Sequence, residues 1–311
     1  MEFGSKISIG EALMWLVAPL LELVGPYAPG ETFPFFFSLE MFQRAFVAAL
    51  LVTVIAGYLG SFLLIRNLAL IGDGIAHVAF GGVAVGIVLG LVSPLWYALF
   101  FSVISAIIIH ELQIREILTG DASIAILLTG VLALGLVVLK IWGGGITANV
   151  EGYLFGNILL VYGESFELIV VMSFFSILFL RIFHPILLAT AIDPISVKIQ
   201  GIPVRRIGLL FSITTATVVV SMVQIIGTLL VTALLVTPAA TAQIVGRSFR
   251  SCIIWTQVFG LSATIIGIYF SSELGTGTGA MIALVSASIF MVVAATKTIL
   301  LPLFRTDGYS Q

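Results

Sequence analysis

Nine apolar runs fix the environment of this chain before anything else is read. They cover about residues 41–65, 68–91, 93–112, 121–140, 164–184, 204–226, 228–245, 251–271 and 278–300. Most approach the roughly 20 residues a helix needs to cross the hydrocarbon core of a bilayer. Only 9% of residues are charged, against about 25% in a soluble domain, so a water-facing surface could not be covered. In lipid, only helices and closed barrels satisfy their backbone N–H and C=O groups. A barrel would show alternating segments of about ten residues, and these runs do not alternate. The expected fold is an all-α polytopic membrane protein. Runs 204–226 and 228–245 are separated by Gly227 alone. They read as two spans, or as one span and a re-entrant piece, giving eight or nine transmembrane helices.

Charge orients the spans. If all nine runs cross, one side receives Arg66, Arg115, Arg181, Lys198, Arg205, Arg206, Arg247, Arg250 and Arg305. The other receives Glu2, Glu11, Glu22, Glu31, Glu40, Glu151, Glu164 and Glu273, with Lys6 and Lys140 as its basic residues. The positive-inside rule then puts the C-terminus in the cytoplasm and the N-terminus outside. Residues 1–40 read as an acidic extracytoplasmic or interfacial segment, 41–303 as the transmembrane domain and 304–311 as a short cytoplasmic tail. Within the first segment, run 12–24 is too short to span easily and reads as interfacial. Met1 to Gly10 lacks the basic start, apolar core and small-residue site of a cleavable leader. A net charge of −2 gives no basic footprint for nucleic acid. The single cysteine, Cys252, excludes an internal disulfide framework and a thiolate-cluster metal site.

Two stretches are not simple spans. Residues 141–163 are broken by Gly143, Gly144 and Gly145, the composition of a short or broken helix at a pathway mouth, where irregular backbone is tolerated. Residues 185–203 form the longest cytoplasmic connection. Asp193-Pro194 starts a helix-like piece that ends at Gly201, before Pro203. Such a helix between two spans is a docking element for a soluble partner, or an ordinary linker.

Run 68–91 carries the one conspicuous pair of ionisable groups. Asp73 and His77 stand at i and i+4, on one helical face. His77 lies about 13 Å along a helix beginning at Leu68, close to mid-membrane, where ionisable groups are costly and face a pathway or a partner. Imidazole plus carboxylate suits a borderline divalent ion such as zinc, manganese or ferrous iron. A structural hydrogen-bonded pair and, behind it, a proton relay stay open beside metal or substrate ligation on the residues alone. Two ligands on one helix cannot close a site, so others must come from another helix, water or a second copy of the chain.

Other features are structural by default. Gly82, Gly86 and Gly90 line one face and allow close helix packing. Pro238 in run 228–245 should kink or break the helix and offers a hinge, with Thr237 and Thr241 able to bond the freed carbonyls. His110 and His184 lie at run ends, where interfacial position is explanation enough. Gly275-Thr-Gly277-Thr-Gly279 follows no strand and is not a nucleotide-binding turn. No Gly-x-x-x-x-Gly-Lys-Ser/Thr occurs anywhere in the chain, so any ATPase is another polypeptide.

The stretch from Phe42 through Gly60-Ser-Phe-Leu-Leu-Ile-Arg66 to Gly72-Asp73-Gly-Ile-Ala-His77 resembles the signature of the zinc/manganese/iron ABC importer permeases. Tyr153-Leu-Phe-Gly156, Asp193-Pro194 through Gly201-Ile202, and Leu234-Leu-Val-Thr-Pro238-Ala-Ala-Thr-Ala242 follow in the family's order. Together they cover roughly residues 40–300. The resemblance implies a transmembrane fold of the compact type II importer kind, working as a homodimer on two ATP-binding subunits. It also implies an extracytoplasmic metal-binding protein that delivers the ion. Asp73 and His77 would hold the transported metal, and the segment from Asp193 to Gly201 would dock on the ATPase. No permanently bound cofactor is implied, only a transported divalent ion, zinc or manganese. Gly74 departs from the family's usual small alanine or threonine, which loosens the helix beside the site.

Two rival readings stay open on the residues. A proton-coupled secondary transporter would use Asp73 and His77 as a relay and need no ATPase. An intramembrane hydrolase would need about three converging protein ligands and an open position, and the chain has no His-Glu-x-x-His.

Overall fold

The computed structural model describes residues 8–144, 148–161 and 163–300, and every regular element among them is helical. In chain order these are α1 (Ile9–Val24), α2 (Phe35–Ser38), α3 (Glu40–Ile65), α4 (Ala69–Leu89), α5 (Pro94–Ile114), α6 (Gly120–Trp142) and α7 (Ala148–Phe155). Then come α8 (Glu164–Ile192), α9 (Pro194–Ile199), α10 (Val204–Ile226), α11 (Val231–Leu235), α12 (Thr237–Val245), α13 (Phe249–Leu274) and α14 (Thr278–Ala295). Ten helical stretches are long and apolar enough to cross a membrane. That is one more than the nine runs in the sequence, because Ile9–Tyr27 qualifies by length and composition.

The long helices shuttle between two faces, marked by the short helices α7 and α9. Helices α3, α4 and α10 form the interior, while α6 and α14 are turned mostly outward. Where no water competes, polar side chains join helices. Thr53 and Thr264 hydroxyls are 2.7 Å apart, Ser61 and Thr256 hydroxyls 3.2 Å apart, and Gln257 Nε2 donates to Val54 O at 3.0 Å. These bonds sew α3 to α13. Gly60 lets α3 meet the broken segment after α10, since a Cβ there would overlap the carbonyl oxygen of Leu235.

Helix α1 begins with a capping box. Ser8 Oγ accepts from Glu11 N at 3.1 Å, and the Glu11 carboxylate accepts from Ser8 N. Glu167, in the first turn of α8, accepts from Ile9 N and Gly10 N at 3.0 and 2.8 Å. The other end of α1 rests on Phe37, just before α3. Both contacts lie on the α7 face, so α1 runs along that face rather than across the bundle. Glu273, at the end of α13, then gathers the chain by accepting from Glu31 N, Thr32 N, Thr32 Oγ1 and Phe33 N at 2.9–3.1 Å. Phe33 stacks edge-on against Tyr269 and Phe37.

Helix α8 runs through Pro185 to Ile192, so the connection expected over 185–203 narrows to 193–203. Residues 301–311, including the expected tail 304–311, lie outside the described residues, as does Gly145.

Candidate metal pathway

Helix α4 starts from a tight turn in which Asn67 adopts φ 55°, a left-handed conformation that asparagine tolerates. Neighbours clasp α4 on several sides. Gly72 faces Leu235 of α11 and Gly74 faces Ile124 of α6, and in each case a Cβ would overlap the neighbour. The glycine at 74 is therefore a packing necessity as well as a helix loosener. Gly82 and Gly86 face Tyr97 and Pro94 of α5, so this close approach is made within one chain. Gly90 takes no part in it. With φ 62° and nothing near its Cβ position, it is the left-handed C-cap of α4.

What the clasp leaves open is a stripe at i, i+3 and i+7. Leu70 is 60% exposed, and the Asp73 and His77 side chains are 38% and 19% exposed. His77 Nε2 stands 3.9 Å from Asp73 Oδ2, beyond direct hydrogen-bond range. The sum of two metal–ligand bonds of about 2.1 Å slightly exceeds that separation, so one divalent ion can touch both atoms. Among the described residues, no three His, Cys, Asp or Glu side chains converge as a metal cluster. Within one chain the pair is thus an open, two-ligand arrangement.

The α9 segment is built for presentation. Asp193 caps it, accepting from Ile195 N at 3.1 Å and Ser196 N at 3.0 Å. The Ser196 hydroxyl and these N–H groups hold the Asp193 carboxyl below its usual range. Pro194 takes the first turn, and Gly201, at φ 81°, closes the end. Ile192, Ile195 and Ile199 are left exposed while Val197 turns inward.

The remaining sequence-selected positions are spread over both faces. Gly143 is the C-cap of α6, packed against Leu139 and Val88, and Gly144 follows at φ 73°. Pro238 sits in the first turn of α12, and the helix breaks at Val236, just ahead of it. Thr241 Oγ1 donates to Thr237 O at 2.8 Å. On the α7 face a cavity of about 610 Å³ is lined by Thr32, Glu151, Asn157, Ser271 and Thr278 among others.

Sequence reading missed the long-range polar contacts at the α9 face. His110 is not merely interfacial: its Nε2 is 3.1 Å from Arg205 O, and Glu111 pairs with both Arg205 and Arg115. His184 Nδ1 is 2.8 Å from Tyr58 Oη. Their partners lie about a hundred residues away, and His184 is no helix end, since α8 continues two turns beyond it to Ile192.

An all-helical bundle with polar seams and outward apolar surfaces defines a polytopic membrane protein. Residues 38–297 match the ABC 3 transport family, and the chain belongs to this family of metal ABC importer permeases. The manganese import system permease protein ScaB of Streptococcus gordonii is 31% identical over 250 residues, 80% of this chain and 89% of that protein. The manganese transport system membrane protein MntC of Halalkalibacterium halodurans is 33% identical over 254 residues, 81% of this chain and 86% of that protein. The solved PsaBC from Streptococcus pneumoniae superposes at a TM-score of 0.75 with 31% identity, over 87% of this chain and 98% of that one. An inward-facing metal-chelate type ABC transporter superposes at 0.71 with 16% identity, over 92% of this chain and 98% of that one, a likeness of fold alone.

Proposed function

We propose that this chain is the permease subunit of an ATP-driven importer that carries a divalent transition-metal ion into the cytoplasm by alternating access. The observation that carries the reading is the uncovered stripe of α4. A helix otherwise enclosed by its neighbours leaves Asp73 and His77 open. Facing lipid, two ionisable groups would be costly. Facing a second copy across a watery pathway, they are in place to contact an ion. Homodimerisation supplies the ligands that one chain lacks. Manganese import by ScaB and manganese transport by MntC support the substrate class, with zinc and ferrous iron equally suited to the two donors.

The α9 face is taken as cytoplasmic, since it gathers the basic residues between the spans. The α7 face and residues 8–40 are then extracytoplasmic, where a metal-binding protein delivers the ion. Helix α9, with Asp193, Pro194 and Gly201 setting its ends, docks on a separate ATP-binding subunit through Ile195 and Ile199, together with Ile192 at the end of α8. Gly143, Gly144 and the break before Pro238 are the flexible points for gating. Coordination stays incomplete so that the ion is released.

Uptake of manganese(II) and zinc(II) into vesicles holding the permease with its ATPase tests this reading. Uptake that requires ATP supports it. Uptake that ignores ATP and follows a proton gradient contradicts it in favour of a secondary transporter.

A further inference from the structure

Arg66 closes α3 at the α9 face, and its guanidinium reaches both flanks of α9. Nη2 donates to Thr190 Oγ1 at 2.6 Å and to Leu187 O at 3.3 Å, both on the last turns of α8 before α9. The guanidinium carbon lies 4.4 Å from the ring centroid of Phe211, two turns into α10 after α9, a cation–π contact. Arg66 also lines a cavity of about 250 Å³ with Asn67, Thr190, Pro194, Val204 and Gly208. The third connection is covalent. Only Asn67 and Leu68 separate Arg66 from α4, and this turn is pinned by Asn67 N to Leu64 O at 3.1 Å, Leu68 N to Leu63 O at 2.9 Å and Ile71 N to Leu68 O at 3.1 Å. Asp73 lies one turn further on.

A half-buried arginine is an expensive way to join three helices. Its Nε has no hydrogen-bond partner, and its two Nη2 acceptors are neutral oxygens. Burial pulls its pKa down to about 10, so it stays a cation at neutral pH. A well-packed apolar side chain of similar volume commonly costs less than such a charge. What the planar, forked group provides is directional contact with two helices at once.

We propose that Arg66 is a positioning residue that transmits movement of α9 to the start of α4, and so to Asp73 and His77. The proposal rests on the importer reading above. A displacement of α9 moves the ends of α8 and α10 together. Arg66 grips both and turns the short, hydrogen-bonded lever at Asn67. The neighbouring tie, Arg205 and His110 to the end of α5, bypasses α4 and leaves this task to Arg66.

The test compares wild type, Arg66→Met and Arg66→Lys in proteoliposomes containing the full complex with its ATPase subunits. Manganese(II) uptake and ATP hydrolysis are measured on the same samples. Arg66→Met is expected to lower metal moved per ATP by about tenfold, the scale of a modest coupling energy, while ATP hydrolysis persists. Arg66→Lys should recover part of the ratio. A wild-type ratio in Arg66→Met overturns the proposal. If Arg66→Met does not assemble, Thr190→Val combined with Phe211→Leu, which removes both side-chain partners and leaves Arg66 with the Leu187 carbonyl alone, decides it. A lowered ratio supports transmission and an unchanged one overturns it. Absence of ATP-dependent uptake in wild type removes the importer reading itself, and this proposal with it.

Discussion

His77 Nε2 and Asp73 Oδ2 are held 3.9 Å apart on the open stripe of α4, flanked by glycines at 72 and 74 that let α6 and α11 close around the helix. The spacing of the pair therefore depends on packing one residue away. Gly74→Ala should push against Ile124 and destabilise the protein by about 1–3 kcal/mol, the range for overpacked cores. Ile124→Ala combined with Gly74→Ala should cost less than the sum of the two single changes. Thermal unfolding of the detergent-purified variants checks both.

The α3–α13 seam offers a second packing test. Thr53→Val removes the bond to the Thr264 hydroxyl, 2.7 Å away, while keeping the side-chain shape. A destabilisation of about 0.6 kcal/mol is expected, with about 1.7 as a ceiling, as for other hydrogen bonds between membrane helices. The double variant with Thr264→Val should cost less than the sum of the two single changes, which thermal unfolding reads directly.

At α9 the sign of the pH dependence follows from the cap. Asp193 has its pKa lowered from 3.8 by the Ser196 hydroxyl and the N–H groups of the first turn. A lowered folded-state pKa means that the cap's contribution is fully present above the unfolded value and is lost only as pH falls through the folded one. Docking on the ATPase should therefore show no titration of this group near neutral pH. Asp193→Ala should weaken docking at pH 7, and Asp193→Ser, itself a competent N-cap, should retain most of it. Binding of the variants to the purified ATPase subunit measures this.

The exposed isoleucines of α9 carry the complementary prediction. Burying an isoleucine is worth about 1.5–3 kcal/mol. Ile195→Ser and Ile199→Ser should each weaken the same docking by about tenfold or more, without changing thermal stability of the isolated permease.

The parts of this structure legible in the sequence are those set by local chemistry. Apolar runs gave the long helices. The i, i+4 spacing placed Asp73 and His77 on one face, and Pro238 marked the break between α11 and α12. Asp193 and Gly201 bounded α9 to within a residue or so. What was not legible depends on distant neighbours. Nothing in residues 9–27 reveals that Glu167 and Phe37 hold both ends of that helix on one face of the bundle. Pro185 reads as a helix end, yet α8 continues through it. Gly90 follows Gly82 and Gly86 in register, but serves as a cap because the helix stops there. Arg66 registered in the sequence only as one more basic residue on its side of the membrane, because its partners lie more than 120 residues away.

The measurement that tests the central claim most directly is radiolabelled manganese and zinc uptake by vesicles holding the permease–ATPase complex. It compares wild type with Asp73→Ala and His77→Ala. The account predicts ATP-dependent uptake in wild type and its loss in both variants, with complex assembly and ATPase docking intact. Wild-type uptake rates in both variants would contradict the claim that these two side chains hold the transported ion.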